Sequence, residues 1–447
     1  GCDPKKPDRV RAARGQIVLD VMPDEGMLVD VHLGLADLER FHIVCDPASK
    51  CARFRTTKDK FHFPELDRYA RSFAVDEELT RRREWARLIE AASMKDTTSL
   101  RLKDAKLVSD LSEETLLALR KDGRLPIDTE AGVLIVGDKL SSDDRKWVVD
   151  LVNKHRAVFD PNSRLGITGI SPREISLSPG YLPRKVRFRL KDQPILKKVL
   201  LNKISKGVLE YWRGKVRATS RYFLVYKGGY SRDDIRSWRL VCDVSVNPGV
   251  TNSDDAILPE PLQFAASLSQ HSIFWETDLR DAYHQILLDE VSKELVCLQT
   301  PIGLTAFSSL PQGIRGAQGH LLNVVREIFP IDALKAYADN IYAGFGSCQQ
   351  GPTQLDLDEC KHTFRKFLEI SDERNVKLNI HDTAFGVTVI HPLGFTVNGG
   401  AFSPSERLTR SIFDMPTPSC ARDVKSFTQL VNVFRQFIPN YNFHTAP

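Results

Sequence analysis

Tyr337-Ala338-Asp339-Asn340 does most to limit what this chain can fold into. It lies between two short β-rich runs, ALKAYA (333–338) and IYAGF (341–345), and so reads as the tip of a hairpin that carries an acid. A second strand-like run stands upstream in HSIFWETDLRDAYHQ (271–285), where Asp278 closes an apolar stretch and begins a turn. Its carboxylate is free to face an accessible site. Acids from more than one strand are what a pair of Mg²⁺ ions about 3.5–4 Å apart requires. Asp278 and Asp339 are candidate metal ligands of this kind, and an Asx-type hairpin turn with no catalysis is the other reading of residues 337–340.

The rest of the composition permits such a fold. A chain of 447 residues, 42% hydrophobic, can bury ordinary cores, and its length suits two to four domains. No apolar run reaches the ~18 residues that span a bilayer, and Gly1-Cys2-Asp3-Pro4 lacks the charged-then-apolar pattern of a signal peptide. A cytoplasmic or nuclear setting without a membrane partner is the expectation. The eight cysteines show no CxxC spacing and no nearby His pair, which favours free structural thiols over a zinc site.

Charge is unevenly placed. The net value is +5, yet between Arg184 and Arg217 twelve Lys/Arg face only Asp192 and Glu210, a local +10 that leaves −5 for the remainder. Two readings fit this segment. In one, PILKKVLLNKISKGVLE is a solvated amphipathic helix, with Leu196, Val199, Leu200, Ile204 and Val208 on one side and lysines on the other. In the other, Lys197, Lys198, Lys203, Lys206, Arg213 and Lys215 neutralise nucleic-acid phosphates.

Four regions divide the chain. Residues 1–66 are strand-like (VLDVM, VDVHL, HIVCD), and LGLADLERFHIVCDPASKCARF resembles the tail of a retroviral-type aspartic protease. The Asp-Thr/Ser-Gly turn that such a protease needs occurs nowhere, so this remnant should not cleave peptides. Residues 67–182 read as a charged helical connector and extended loop, with helices in EELTRRREWARLIEAASM, SEETLLALRKDG and SSDDRKWVVDLVNKHRAVF. Ser142 is the expected N-cap of the last, and His155 a packing residue. Regions 183–399 and 400–447 complete the division.

From Pro183 onward the chain resembles, motif after motif, the reverse transcriptase of Gypsy-type LTR retrotransposon Pol polyproteins, whose hairpin normally reads Tyr-x-Asp-Asp. That resemblance implies an α+β right-hand polymerase fold of fingers, palm and thumb with a split βαβ palm, the thumb occupying 400–447. It makes SRYFLVYKGGYSRDDIRSWRLVCDVSVNPGVT the fingers, with Lys227 and Arg239 gripping a triphosphate. The loop joining the two strands is several residues longer than usual, and Ser245 stands where the family commonly has Arg. Tyr283, five residues after Asp278, would lie under the incoming sugar and block a 2′-hydroxyl, whereas Asp281 would be a surface or helix-start acid. In LQTPIGLTAFSSLPQGIRGAQGHLLNVVREIF, Gln312 would line the nucleotide pocket and Gly313 permit close backbone approach. Ala317, Leu321, Val324, Val325 and Ile328 mark a bracing helix behind it. Leu393-Gly394-Phe395 would form a primer grip, and Val424, Phe427, Leu430, Val431, Phe434 and Phe437 the apolar face of a thumb helix.

The implied function is RNA-directed DNA synthesis on an RNA template and DNA primer, using dNTPs and two Mg²⁺, with Mn²⁺ as a substitute. Asn340 replaces the third acid, so impaired activity is expected. A catalytically inactive nucleic-acid-binding protein is the alternative. Protease, RNase H and integrase activities are not expected of these residues.

Overall fold

A computed structural model describes residues 102–447 apart from 103–104, 187–193, 228–229, 252–255, 257, 414, 433 and 446–447, together with six short strands before residue 63. The chain divides into two compact units, 1–93 and 94–447.

In the first unit, β1 (Cys2–Asp3), β2 (Lys6–Arg11) and β3 (Val18–Asp20) form one antiparallel sheet, and β4 (Ile43–Asp46), β5 (Cys51–Phe54) and β6 (Lys60–His62) another. Two of the three expected strand runs coincide with β3 and β4. The run at 29–33 and the expected helix at 77–94 lie outside the described residues.

The second unit is built on a six-stranded sheet of order β15-β16-β12-β17-β8-β7. Its members are β7 (Arg124–Thr129), β8 (Gly132–Gly137), β12 (Ile273–Asp278), β15 (Leu334–Tyr337), β16 (Asn340–Phe345) and β17 (Ala384–Val387). Helix α5 (Ala317–Ile328) follows β12, and α6 (Gln354–Glu373) follows β16. The path β12-α5-β15-β16-α6-β17 is thus a split βαβ motif. Hairpin β7–β8 extends the sheet, through a parallel pair between β8 and β17.

Alternation along β12 sends Ile273, Trp275 and Thr277 to one face and Phe274, Glu276 and Asp278 to the other. Trp275 is fully buried between Phe364 and Phe367 of α6, with ring centroids 5.4 and 4.9 Å away. Helix α2 (Ser142–Lys154) joins that layer through Val148, Leu151 and Val152, and α5 through Leu321, Val324, Val325 and Ile328. The opposite face carries a second core, in which Val133, Ile135, Phe264, Phe274, Phe395 and Phe434 meet. Helices α1 (Glu113–Lys121) and α4 (Pro261–Leu268) lie there, contributing Leu119, Phe264, Ala265 and Leu268.

Around this sheet stand α3 (Pro194–Ser205), the hairpin β10 (Arg221–Tyr226) and β11 (Trp238–Asp243), and a sheet of β9 (Leu209–Tyr211), β13 (Cys297–Thr300) and β14 (Gly303–Phe307). Strands β18 (Val389–Ile390), β19 (Phe395–Asn398) and β20 (Ala401–Pro404) precede α7 (Glu406–Phe413) and α8 (Ala421–Asn432).

Several expectations change. Residues 124–137, read as part of a helical connector, are a hairpin of the main sheet, because β17, more than 240 residues later, completes its hydrogen bonding. The N-cap of α2 is Ser141, not Ser142; its hydroxyl accepts from Asp144 N at 3.1 Å. Helix α8 ends at Asn432, so Phe434 and Phe437 belong to the turn behind it, and Val424 is 51% exposed. Among the described residues, no helix is long and apolar enough to cross a membrane.

Candidate catalytic centre and nucleic-acid interface

The hairpin forms where the sequence places it. Tyr337 pairs with Asn340 across a two-residue loop, and Ala338 takes φ +53°, a left-handed conformation that a tight tip imposes on a residue with a Cβ. Antiparallel register then sets Asp278 directly opposite Asn340, one residue from Asp339. Leu279 N donates to the Asp339 carbonyl at 2.8 Å, which ties the end of β12 to the tip. Asp278 is 3% exposed.

Two amides attend the two acids. The Asn379 side chain donates to Asp278 Oδ2 at 2.6 Å, and Asn340 donates to Asp339 Oδ1 at 3.2 Å. Among the described residues, no cluster of three or more His, Cys, Asp or Glu could hold a metal. Asp278 and Asp339 offer oxygen donors of the kind a divalent cation takes, and each is engaged here by an amide, of Asn379 and Asn340 respectively.

Tyr283 lies next to this pair. Burial raises its phenol above the usual value, and the neighbouring charge of Asp339 adds to the shift. His284 is buried beneath, 6% exposed, with Nδ1 3.1 Å from the Leu310 carbonyl and its ring stacked on Phe307. Gln312 is exposed at the mouth of a small cavity lined by His284, Lys203, Leu240, Cys242 and Phe307. Gly313 has φ +88°, which glycine adopts without strain, and its carbonyl accepts from the Asn247 side chain at 2.8 Å.

Lys227 and Arg239 are both exposed and share one face of the β10–β11 hairpin. Val225 pairs with Arg239, and Lys227 N donates to Ser237 O at 2.7 Å, so the two cations are diagonal neighbours beside Phe223, itself 52% exposed. The long loop between them is braced internally. Trp238 Nε1 donates to Arg232 O at 2.7 Å, Tyr226 OH donates to Tyr230 O at 3.0 Å, and the Arg236 guanidinium covers Tyr230 at 4.1 Å.

The basic segment divides. Lys198, Arg213 and Lys215 are exposed and Lys197 half-buried, which either reading of the segment allows. Lys203 instead turns inward to Asp281, 3.4 Å away, with its side chain 19% exposed. Burial lowers the Lys206 ammonium from its ordinary value. Asp281 is correspondingly more than a surface acid: although burial opposes ionisation, Lys203, His284 and Lys206 together hold its carboxyl well below the usual range, and its φ is +47°. Leu393 and Gly394 form a left-handed turn at φ +54° and +87°. Phe395 is 1% exposed among Phe402, Phe434 and Phe437, so it anchors that turn and offers no surface to a ligand.

Three partners escape sequence reading: Asn379 on Asp278, Arg124 on Glu276, and Asp122 on His391. Each joins segments more than a hundred residues apart, and no local spacing signals them.

No family model matches the chain. Its homologues are Pol polyproteins of Gypsy- and Tf2-type retrotransposons. It is 25% identical over 209 residues to the retrovirus-related Pol polyprotein from transposon opus of Drosophila melanogaster, covering 46% of this chain and 20% of that protein. The corresponding protein from transposon gypsy of the same organism is 24% identical over 206 residues, 45% and 19% of the two chains. The Tf2-7 polyprotein of Schizosaccharomyces pombe is 24% identical over 196 residues, 43% and 14%. The matched region spans a fifth or less of these relatives. Among solved structures, the α+β fold resembles a foamy viral protease-reverse transcriptase in complex with double-stranded DNA (TM-score 0.59, 17% identity, 76% of this chain and 55% of that one). A foamy viral protease-reverse transcriptase in complex with RNA/DNA hybrid gives 0.57 at 18% identity, over 68% and 40%.

Proposed function

We propose that residues 183–447 form a reverse-transcriptase core that binds a primer-template duplex, and that its RNA-directed DNA synthesis is strongly impaired. In this reading the β10–β11 hairpin and α3 are fingers, the sheet around β12 is the palm, and α7 and α8 belong to the thumb. The observation that carries it is the register that sets Asp278 opposite Asn340 with Asp339 at the adjoining tip. In this reading Asp278 and Asp339 are two of the acids that nucleotidyl transfer uses, and the Asn340 amide occupies the third place.

The remaining side chains have consistent roles. Lys227 and Arg239 grip the triphosphate of a dNTP through charge-assisted hydrogen bonds. Tyr283, beside Asp339, closes the space a 2′-hydroxyl would need. Gln312 borders the base, and the Leu393-Gly394 turn supports the primer strand. Mg²⁺, held by Asp278 and Asp339, would supply charge neutralisation at the reacting phosphate. With one formal charge fewer than three acids provide, affinity for the ions falls, and since outer-shell changes alone cost ~10–100-fold, the loss here is at least of that size.

Single-nucleotide extension of a DNA primer on RNA tests this. Wild type should extend poorly, Mn²⁺ should recover part of the loss, and Asn340→Asp should gain about a hundredfold or more. Asn340→Asp combined with Asp278→Ala is the inactive control. Robust wild-type extension would defeat the impairment. No gain in Asn340→Asp, with duplex binding retained, would favour the inactive nucleic-acid-binding alternative, for which the missing third carboxylate already speaks.

A further inference from the structure

Arg124 opens β7, upstream of residues 183–447, yet its guanidinium reaches two segments of the candidate centre at once. Nη2 donates to Glu276 Oε1 at 2.5 Å and to the Val389 carbonyl at 2.8 Å. Arg124 and Glu276 are 12% and 16% exposed. Glu276 lies two residues before Asp278 on the same face of β12, and Val389 begins the two-residue strand that leads into Leu393-Gly394.

Neighbouring residues make parallel contacts. Asp122 Oδ2 meets His391 Nε2 at 3.0 Å, and His391 Nδ1 meets Thr396 Oγ1 at 3.1 Å. Lys121 pairs with Glu406 at 2.9 Å, across the end of β20. Residues 121, 122 and 124 therefore touch 406, 391 and 389 in turn.

We propose that Arg124 is a positioning residue, which fixes the 389–394 turn against the catalytic strand and thereby sets where a primer end lies relative to Asp278. This rests on the polymerase reading for the identity of the ligand, and on geometry alone for the tether. The turn needs such a tether. Strand β18 pairs with β19 at only Val389–Asn398 and Ile390–Val397, and a two-residue ladder holds weakly. An arginine suits the task because the two hydrogens of Nη2 are held in fixed directions in the guanidinium plane, one toward the carboxylate and one toward the carbonyl, whereas lysine is a point charge. The Asp122–His391 contact, one-third exposed on both sides, is the weaker strap.

The test uses the full chain with Arg124→Lys, Glu276→Gln and Asp122→Asn, each first checked by thermal unfolding. Hydrogen exchange of the 389–398 amides reads the tether without nucleic acid. A primer carrying 2-aminopurine at its 3′ end, annealed to RNA, reads the placement of the terminus, and anisotropy of the same duplex labelled far from that end reads overall affinity. In Arg124→Lys, exchange across 389–398 should quicken by about tenfold while the other strands of the sheet stay protected. The terminal fluorescence should change, and overall affinity should change by less than about threefold, since backbone contacts elsewhere dominate it. Glu276→Gln, which keeps an acceptor oxygen, should shift both signals less. If Arg124→Lys does not fold, Asp122→Asn, which weakens the exposed strap and leaves the His391–Thr396 contact in place, should give the same pattern with about two- to fivefold faster exchange. Unchanged exchange in a folded variant overturns the tether. Faster exchange with an unmoved terminal signal in a variant that binds the duplex overturns the positioning role. A wild-type chain that binds no duplex overturns that role together with the polymerase reading, and the exchange arm then shows whether the tether survives them.

Discussion

Acidification should unfold this chain by way of His284, and the size of the effect follows from where the ring lies. Burial, reinforced by the charge of Lys203, pushes the imidazole down from 6.5 to about 3, against the opposing pull of Asp281 and the Leu310 carbonyl. The folded protein therefore keeps His284 neutral over a range in which the unfolded chain protonates it. Stability from this group is complete above about pH 6.5 and falls as pH drops toward 3, because the unfolded state binds the extra proton in that window. At 1.36 kcal/mol per pH unit the loss is roughly 1–2 kcal/mol by pH 5.5 and approaches 5 kcal/mol near pH 3, a substantial share of ordinary domain stability. Asp281 acts in a different window. Its carboxyl is held well below 3.8, so its contribution is present above that value and lost only as pH falls below it. Urea unfolding at pH 7.5, 6.5, 5.5 and 4.5 isolates the histidine, with His284→Phe as the comparison. Phenylalanine keeps a ring against Phe307 and cannot titrate; losing the bond to Leu310 costs about 1–3 kcal/mol at every pH. The wild-type curve should fall toward the variant's by about 1.4 kcal/mol per unit below pH 6. Parallel curves would refute the argument, since they would mean that His284 is free to protonate in the folded state.

Charge reversal at Lys198, Arg213 and Lys215 should lower the salt slope of duplex binding by about one unit for each phosphate no longer neutralised, read by anisotropy between 50 and 200 mM salt. Lys203→Glu should instead lower the melting temperature, because it sets a second acid against Asp281; an equal effect on salt slope from all four would show that Lys203 faces nucleic acid after all. Asn340→Asp should melt a few degrees below wild type without divalent ions, as a third carboxylate joins Asp278 and Asp339, and should gain more from Mg²⁺ than wild type does. Identical melting with and without Mg²⁺ in that variant would mean that the acids do not share a site.

What the sequence reveals here is local periodicity and turn chemistry. The spacing of Leu321, Val324, Val325 and Ile328 marks α5, and that of Val148, Leu151 and Val152 marks α2, because one buried face at 3.6 residues per turn leaves a pattern in the chain itself. The hairpin at 334–345 is equally legible as two apolar runs around a polar tip. Pairing at long range leaves no such trace. GVLIVG (132–137) pairs locally with β7 to form a hairpin, but its place inside the main sheet depends on β17, and the charged helices on either side hide the run among their own residues. The destination of a long side chain is also hidden: Lys198 and Lys203 look alike in sequence, and only the placement of Asp281 sends one of them inward. Phe395 reads as part of a binding loop until Phe402, Phe434 and Phe437 close over it.

The same distinction explains how Asn340 can stand in an intact fold. Its backbone pairs with Tyr337 and Asp278, contacts that any residue can make, and its side chain gives Asp339 a hydrogen bond where an acid would give repulsion. Cores on both faces hold β12 and β16 in place, with Trp275, Phe364, Phe367 and Phe385 buried on one side and Phe274 and Tyr342 buried on the other. Folding therefore makes no demand for a carboxylate at position 340. A likeness of fold to reverse transcriptases consequently carries little weight on activity, and the question rests on one side chain. Aspartate at 340 would be chosen only by the chemistry of the site, against a small cost in stability, whereas the buried aromatics would be retained with or without catalysis.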